Sequence, residues 1–252
     1  MTQTFLRHTP HALRPWVRGI THYAADSGAT YLEPATLTVP LIFTFGAPWR
    51  IGIGGGTGAF GHFVGGLTTG PVRVAGQGAV ECLQIDLTLP GALRLLGGRT
   101  KDVAGRCVAV EDLDDPDASA LARRMEATDD PVRRLSLADA WIGGRLAETA
   151  LPEGPVAQAL ALILRGGGRL SVGRIADRTG LSRQTLHARI ADATGLGPKA
   201  LSRVARFERA GRLIPRATGW ADLAALAGYA DEAHLSREFR ALSGQAPGRW
   251  AA

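Results

Sequence analysis

The sequence predicts an α+β protein in two parts: an N-terminal β-rich, barrel-like domain with trailing helices, and a C-terminal all-α domain. Three observations carry this. Residues 12–90 hold β-branched and aromatic runs broken by Gly and Pro, such as "ATLTVPLIFTF", "PVRVAG" and "AVECLQIDLTL". From Pro90 onward the texture turns helical. Near the C-terminus one pattern is written twice, about 49 residues apart: "GLSRQTLHARIADATGLGP" (Gly180–Pro198) and "GYADEAHLSREFRALSGQAP" (Gly228–Pro247).

The elements follow in chain order. "GIGGGTGAFG" (Gly52–Gly61) suggests a nucleotide loop at first sight. A dinucleotide fingerprint must lead from strand into helix, and here the sequel is "HFVGGLTTGPV", so a hairpin loop between strands is expected. "PGALRLLGG" reads as a short helix. "DPDASALARRMEA" and "DPVRRLSLADAWIGGRLAE" read as longer ones, each with an Asp cap and Pro in the first turn. "LPEGP" (Leu151–Pro155) is a linker, which divides the chain into residues 1–152 and 153–252. Beyond it the next helix ends at Gly166-Gly167-Gly168.

The repeats then define the C-terminal architecture. In the first copy, "VGRIADRT" forms a helix with Ile175, Ala176 and Thr179 on one side. Gly180-Leu181 makes a tight turn, because Gly accepts the left-handed backbone that ends a helix. Ser182 caps the next helix, whose inward face is Leu186, Ile190 and Ala193. In the second copy "WADLAALA" is the first helix, Gly228-Tyr229 the turn and Asp231 the cap, with Leu235, Phe239 and Leu242 inward. Each is a helix-turn-helix, at about 172–194 and 220–243. A helix at about 198–214 joins them, with Ala200, Val204, Phe207, Gly211 and Ile214 as its apolar stripe.

At 100° per residue, the outer face of the first copy's second helix carries Gln184, Ala188 and Ala191, with His187 at its edge. The equivalent face in the second copy carries Ala233, Arg237 and Arg240, with Ser236 at the edge and Glu232 at the margin. Such a helix can enter a major groove, where Gln can pair with adenine and Arg with guanine. Charge points the same way. Residues 1–152 hold 14 Lys+Arg against 15 Asp+Glu, whereas residues 153–252 hold 15 against 8. The excess positive charge therefore sits entirely in the second half, as expected for a polyanion partner.

At these residues the sequence resembles the AraC family of bacterial transcription regulators. The C-terminal signature reads "GYADEAHLSREFRALSGQAPGRW" (Gly228–Trp250), and the resemblance covers about residues 155–252. "LRPWVRGI" and "HFVGGLTTGPVRV" also resemble the β-rich domain of an AraC subgroup. The resemblance implies two helix-turn-helix units reading one face of double-stranded DNA. Carried over by position, the base-reading residues are Gln184, His187 and Ala188 in the first unit and Glu232, Ser236 and Arg237 in the second. Ala188 stands where the second unit has Arg237, and it cannot hydrogen-bond a base. Arg183, Arg203, Arg206 and Arg240 are the candidates for phosphate contact. The resemblance further admits a small-molecule effector at the N-terminal domain, a homodimer, and RNA polymerase as partner of an activator.

Other signals are bland. The N-terminal histidines His8, His11, His22 and His62 form no tight pair of the kind that holds a metal, and no nucleophilic triad stands out. No cofactor is expected. Cys82 and Cys107 read as free thiols rather than a redox motif. Trp16, Phe43, Phe45, Trp49 and Phe63 read as core or as the lining of a ligand pocket. No apolar run reaches membrane-spanning length and the N-terminus lacks a signal-peptide block, so a cytoplasmic protein is expected. Two rival classes stay open: an enzyme with a metal or nucleotide site in the β-rich half, and a non-specific DNA-packaging protein.

Overall fold

Alternating burial along Val39–Gly46 marks a strand with one face in a core, and the neighbouring runs behave likewise. The computed structural model describes residues 2–26 and 30–250, and of residues 2–5, 25 and 26 the backbone alone. Among the described residues ten strands form two sheets. They are β1 (Thr2–His8), β2 (Val17–Asp26), β3 (Thr30–Glu33), β4 (Val39–Gly46), β5 (Trp49–Ile53), β6 (Gly56–Phe60), β7 (Phe63–Gly65), β8 (Val72–Ala75), β9 (Ala79–Leu87) and β10 (Cys107–Ala109). One sheet runs β1-β2-β9-β4-β7-β10 and the other β3-β8-β5-β6. The central strand β9 pairs antiparallel with both β2 and β4 and contributes Cys82, Leu83, Ile85 and Leu87 to the core, all fully buried.

The glycine-rich stretch is a hairpin. Strands β5 and β6 pair from Trp49↔Phe60 to Ile53↔Gly56. Gly54 and Gly55 both have positive φ (58° and 91°), the backbone that a two-residue hairpin turn requires. No helix N-terminus follows, so the stretch lacks the element a nucleotide loop needs.

Helices close the first part: α1 (Leu89–Leu95), α2 (Arg99–Val103), α3 (Pro116–Glu126) and α4 (Pro131–Glu148). Asp115 accepts from the Ala118 amide and Asp130 from the Val132 amide, each followed by Pro at the first helical position. Gly91 lets α1 approach the chain: a Cβ there would lie 1.8 Å from the Trp16 carbonyl oxygen. Phe43, Trp49 and Phe63 are core residues, whereas Phe45 lies under the Arg134 guanidinium at 3.4 Å and Trp16 under that of Arg94 at 4.4 Å. Arg134 is buried and donates to Glu81 and to the Met125 carbonyl. His22, buried beside this pair, has its pKa lowered mainly by burial, with Arg134 adding and Glu81 opposing. Cys82 and Cys107 are free thiols; burial raises both, Cys107 to about 12, which keeps them uncharged.

The chain forms two compact units. The first is residues 1–31, 38–67 and 73–151; the second is 32–37, 68–72 and 152–252. Two short segments of the N-terminal half thus belong to the second unit, which the sequence does not signal. Among the described residues no helix is long and apolar enough to cross a membrane.

The second unit holds α5 (Pro155–Gly166), α6 (Val172–Thr179), α7 (Arg183–Thr194), α8 (Pro198–Leu213), α9 (Trp220–Ala227), α10 (Glu232–Ser243) and the single turn α11 (Pro247–Trp250). Helix α8 is its centre, packing against α5, α7, α9 and α10. Its buried residues are therefore Pro198, Leu201, Ser202, Val204, Ala205, Phe207 and Ala210, a broader band than the expected stripe. Ala200, Gly211 and Ile214 are only half-buried, because neighbours on several sides draw in more of the helix than one stripe. Nor does packing demand Gly211: a Cβ there would meet Trp250 at an ordinary 3.7 Å.

Candidate nucleic-acid interface

Both helix-turn-helix units are assembled by local rules. In the first, Ser171 caps α6 by accepting from the Arg174 amide. The helix ends at Gly180 in the left-handed region (φ 67°), and the Leu181 amide closes the turn on the Ala176 carbonyl at 3.1 Å. Ser182 then caps α7, accepting from the Thr185 amide at 3.0 Å. In the second, α9 ends at Gly228 (φ 90°), the Tyr229 amide reaches the Ala224 carbonyl at 2.8 Å, and Asp231 caps α10 through the His234 amide at 2.6 Å. The second turn is one residue longer, with Tyr229 and Ala230 between cap residues where the first has only Leu181.

The inward faces fix how each recognition helix is rotated. Leu186 and Ile190 of α7, and Leu235, Phe239 and Leu242 of α10, are fully buried. At the end of α7 the buried residue is Thr194, not the expected Ala193, which is half-buried. Thr194 donates to the Ile190 carbonyl and accepts from the Leu196 amide, so its hydroxyl is satisfied inside the turn. Ser243 does the same with Phe239 and Gln245. Phe239 meets Phe207 of α8 edge-on at 4.9 Å, and Phe207 meets Trp250 at 5.5 Å.

With those faces buried, the opposite faces are outward. Gln184, His187 and Ala188 are exposed on α7; Glu232 and Arg237 are exposed on α10, and Ser236 is half-buried beside them. The His187 ring lies over Gly197, where a Cβ would come within 2.6 Å of Nε2. Helix α8, at 16 residues and so about 24 Å long, joins the two helix-turn-helix units.

The four arginines expected at phosphates divide into two pairs. Arg183 and Arg240 are exposed on the recognition helices, and the Arg183 guanidinium lies against Gly173 in the first turn of α6. Arg203 and Arg206 are half-buried and engaged within the unit. The Nε of Arg203 donates to Glu238 at 2.9 Å, and Arg206 donates to the Gly168 carbonyl at 2.8 Å and faces the Tyr229 ring. Burial raises the Tyr229 hydroxyl well above its usual range, with Glu238 adding and Arg206 and Arg203 opposing. These contacts brace α8 against α10 and the loop before α6, a role that the helical spacing of Arg203 and Arg206 does not reveal.

Two further features escape sequence reasoning. Glu208 of α8 accepts from the Thr36 hydroxyl at 2.6 Å and the Leu37 amide at 2.8 Å, and the Ala35 amide donates to the Leu242 carbonyl at 2.8 Å. The remaining feature is a cleft among α6, α8 and α10 that includes Lys199, Ser202 and His234. Elsewhere His8 pairs with Asp139 and His62 with Glu126, and among the described residues no group of three or more His, Cys, Asp or Glu is placed to hold a metal ion.

Residues 175–252 match the family model described as a helix-turn-helix domain. Among solved structures the chain is similar to ToxT from Vibrio cholerae, solved at 1.65 Å, with 9% identity over 92% of this chain and 96% of that one and a TM-score of 0.51. It is similar to unsaturated fatty acid-bound wild-type ToxT from Vibrio cholerae strain SCE256, at 8% identity over 92% and 93% of the two chains and a TM-score of 0.52. A third such structure is ToxT from Vibrio cholerae O395 bound to (E)-4-(8-methylnaphthalen-1-yl)but-3-enoic acid, at 9% identity over 92% and 97% and a TM-score of 0.51. At these identities the likeness is one of fold. No curated protein matches the sequence.

Proposed function

We propose that this chain, whose C-terminal residues form an AraC-type helix-turn-helix domain, is a sequence-specific DNA-binding transcription regulator rather than an enzyme. The observation that supports this most is the pair of exposed faces held by the same buried frame at the two ends of α8. Adjacent major-groove openings on one side of a duplex lie about 34 Å apart, and two heads on one rigid helix suit two of them. Gln184, His187 and Ala188 read the first box; Glu232, Ser236 and Arg237 read the second. The second box is read through stronger polar contacts, since Arg237 can make two hydrogen bonds to guanine and Ala188 none. Arg183 and Arg240 contact phosphates and supply affinity without sequence preference.

The reading extends to the N-terminal unit as the seat of a small-molecule effector. Two of the ToxT structures hold carboxylic acids, one an unsaturated fatty acid, which makes such compounds the first to screen. The protein acts in the cytoplasm, with a second copy of the chain as a further partner and, if it activates transcription, RNA polymerase. Selection from a random DNA pool with the full-length protein tests the reading. The expected result is one enriched site with two boxes about a helical turn apart. Salt-sensitive binding without any enriched sequence would favour a packaging protein instead.

A further inference from the structure

A cleft of about 610 Å³ opens among the start of α6, one side of α8 and the start of α10. Ser171, Lys199, Ser202, Arg206, His234 and Glu238 are among its lining residues. We propose that it seats a single phosphate group, and that the occupant is a backbone phosphate of the DNA strand that runs between the two boxes. The proposal rests on the two-headed reading above and adds to it a contact that fixes both heads on one strand.

The chemistry is that of an oxyanion site. Arg203 and Glu238 neutralise each other at 2.9 Å, which leaves Lys199, exposed, and Arg206 as the cleft's net charge. The first turn of α6 faces the same space. Ser171 satisfies the Arg174 amide, and the earlier amides have no carbonyl partner within the helix. Such a helix start favours a phosphate through its amides and its dipole.

An independent observation comes from Ser202. A serine inside a helix normally returns its hydroxyl to the carbonyl four residues back, as Ser243 does to Phe239. Ser202 does not: it is 5% exposed, lines the cleft, and its Oγ has no hydrogen-bond partner. The Nε of Arg206 is likewise buried without a partner, although Arg206 donates to Gly168 from its other end. Buried donors are expensive to leave unpaired, and a phosphate oxygen would satisfy both. Placement identifies the source. The cleft belongs to neither helix-turn-helix alone: α6 comes from the first, α10 from the second, and α8 joins them. A strand passing from one major groove to the next presents its phosphates between the two readers.

The test replaces the phosphates of the selected site one at a time by neutral methylphosphonate and measures affinity for the full-length protein. One linkage between the boxes should weaken the wild type about tenfold or more, as expected for losing a charged hydrogen-bond acceptor. Ser202→Ala should lose affinity for the unmodified site and become nearly indifferent to that linkage, and Lys199→Ala should reduce the salt slope by about 0.9. Silent linkages between the boxes would overturn the proposal, as would equal sensitivity in wild type and Ser202→Ala. Inorganic phosphate should weaken DNA binding more than chloride does at equal ionic strength, because it competes for the same cleft; phosphate that binds there and leaves DNA affinity unchanged would assign the cleft to a free anion and overturn the DNA assignment. Failure to select any site would sink the regulator reading; a selected site with silent linkages sinks the cleft alone.

Discussion

The two helix-turn-helix units share one buried frame and differ in their exposed faces, turn length and caps. Each turns on a glycine in the left-handed region, Gly180 or Gly228, and each ends with a hydroxyl, Thr194 or Ser243, tied back to its own turn. The second has one extra turn residue, Ala230, whose amide lies 3.5 Å from His234 Nδ1, and an Asp cap in place of Ser. It also carries the arginine that the first replaces by Ala188. Residues from 32–37 and 68–72 rest on it: the Ala35 amide bonds Leu242, and a Cβ on Gly244 would come within 2.8 Å of Leu32 and 3.5 Å of Pro71. Backbone geometry fixes the frame of both units, while the outer faces and the braces are free to diverge. On the proposed reading the second unit is the stronger reader; in the structure it is the more heavily supported one.

The largest expected effect tests the frame. Phe239→Ala should cost about 3–5 kcal/mol of stability, because it removes the edge-on contact with Phe207 and leaves a cavity. Ile190→Ala, its counterpart in the first unit, should cost about 2–5 kcal/mol and fall below it. Denaturant unfolding of both variants checks this, and a larger loss at Ile190 would reverse the ranking of the two units.

The brace comes next. Glu208→Ala removes the acceptor shared by Thr36 and Leu37 and leaves both donors without it, and should cost about 1–3 kcal/mol. Faster amide exchange at Leu37 should accompany the loss, and unchanged exchange there would remove the brace from the comparison.

The smallest effect on the protein itself, and the most specific on its partner, is at the reading face. Arg237→Ala should leave stability within about 0.5 kcal/mol, as for an exposed residue. Its cost in DNA affinity should be about 1–3 kcal/mol, with selectivity relaxed at one base of the second box. Competition binding against sites varied base by base checks it, and retained selectivity would take the role from Arg237.

What the sequence made legible follows the range of the forces involved. Gly180, Gly228, Ser182 and Asp231 could be read because turns and caps are set by residues two or three apart. A hairpin within Gly52–Gly61 was legible from its glycines, but the loop takes only Gly54 and Gly55 and the rest of the stretch is largely strand. Inward positions such as Leu186 and Phe239 followed from helical period, but the period misplaced the end of α7 and narrowed the buried band of α8. A helix enclosed by α5, α7, α9 and α10 buries more than one stripe, and only the tertiary arrangement shows it. The pairings Arg203–Glu238 and Glu208–Thr36 span 35 and 172 residues, so no local pattern announces them. The same holds for the cleft around Ser202, whose signal is a missing hydrogen bond and not a motif.

If two heads on one rigid helix read two successive grooves, the spacing of the boxes must match the duplex. Affinity would be measured on the selected site as it stands and with about five base pairs, half a helical turn, inserted between the boxes. The insertion should turn one box away from the protein and lower affinity to that of a site with a single box. Equal affinity for the two spacings would contradict the two-groove reading.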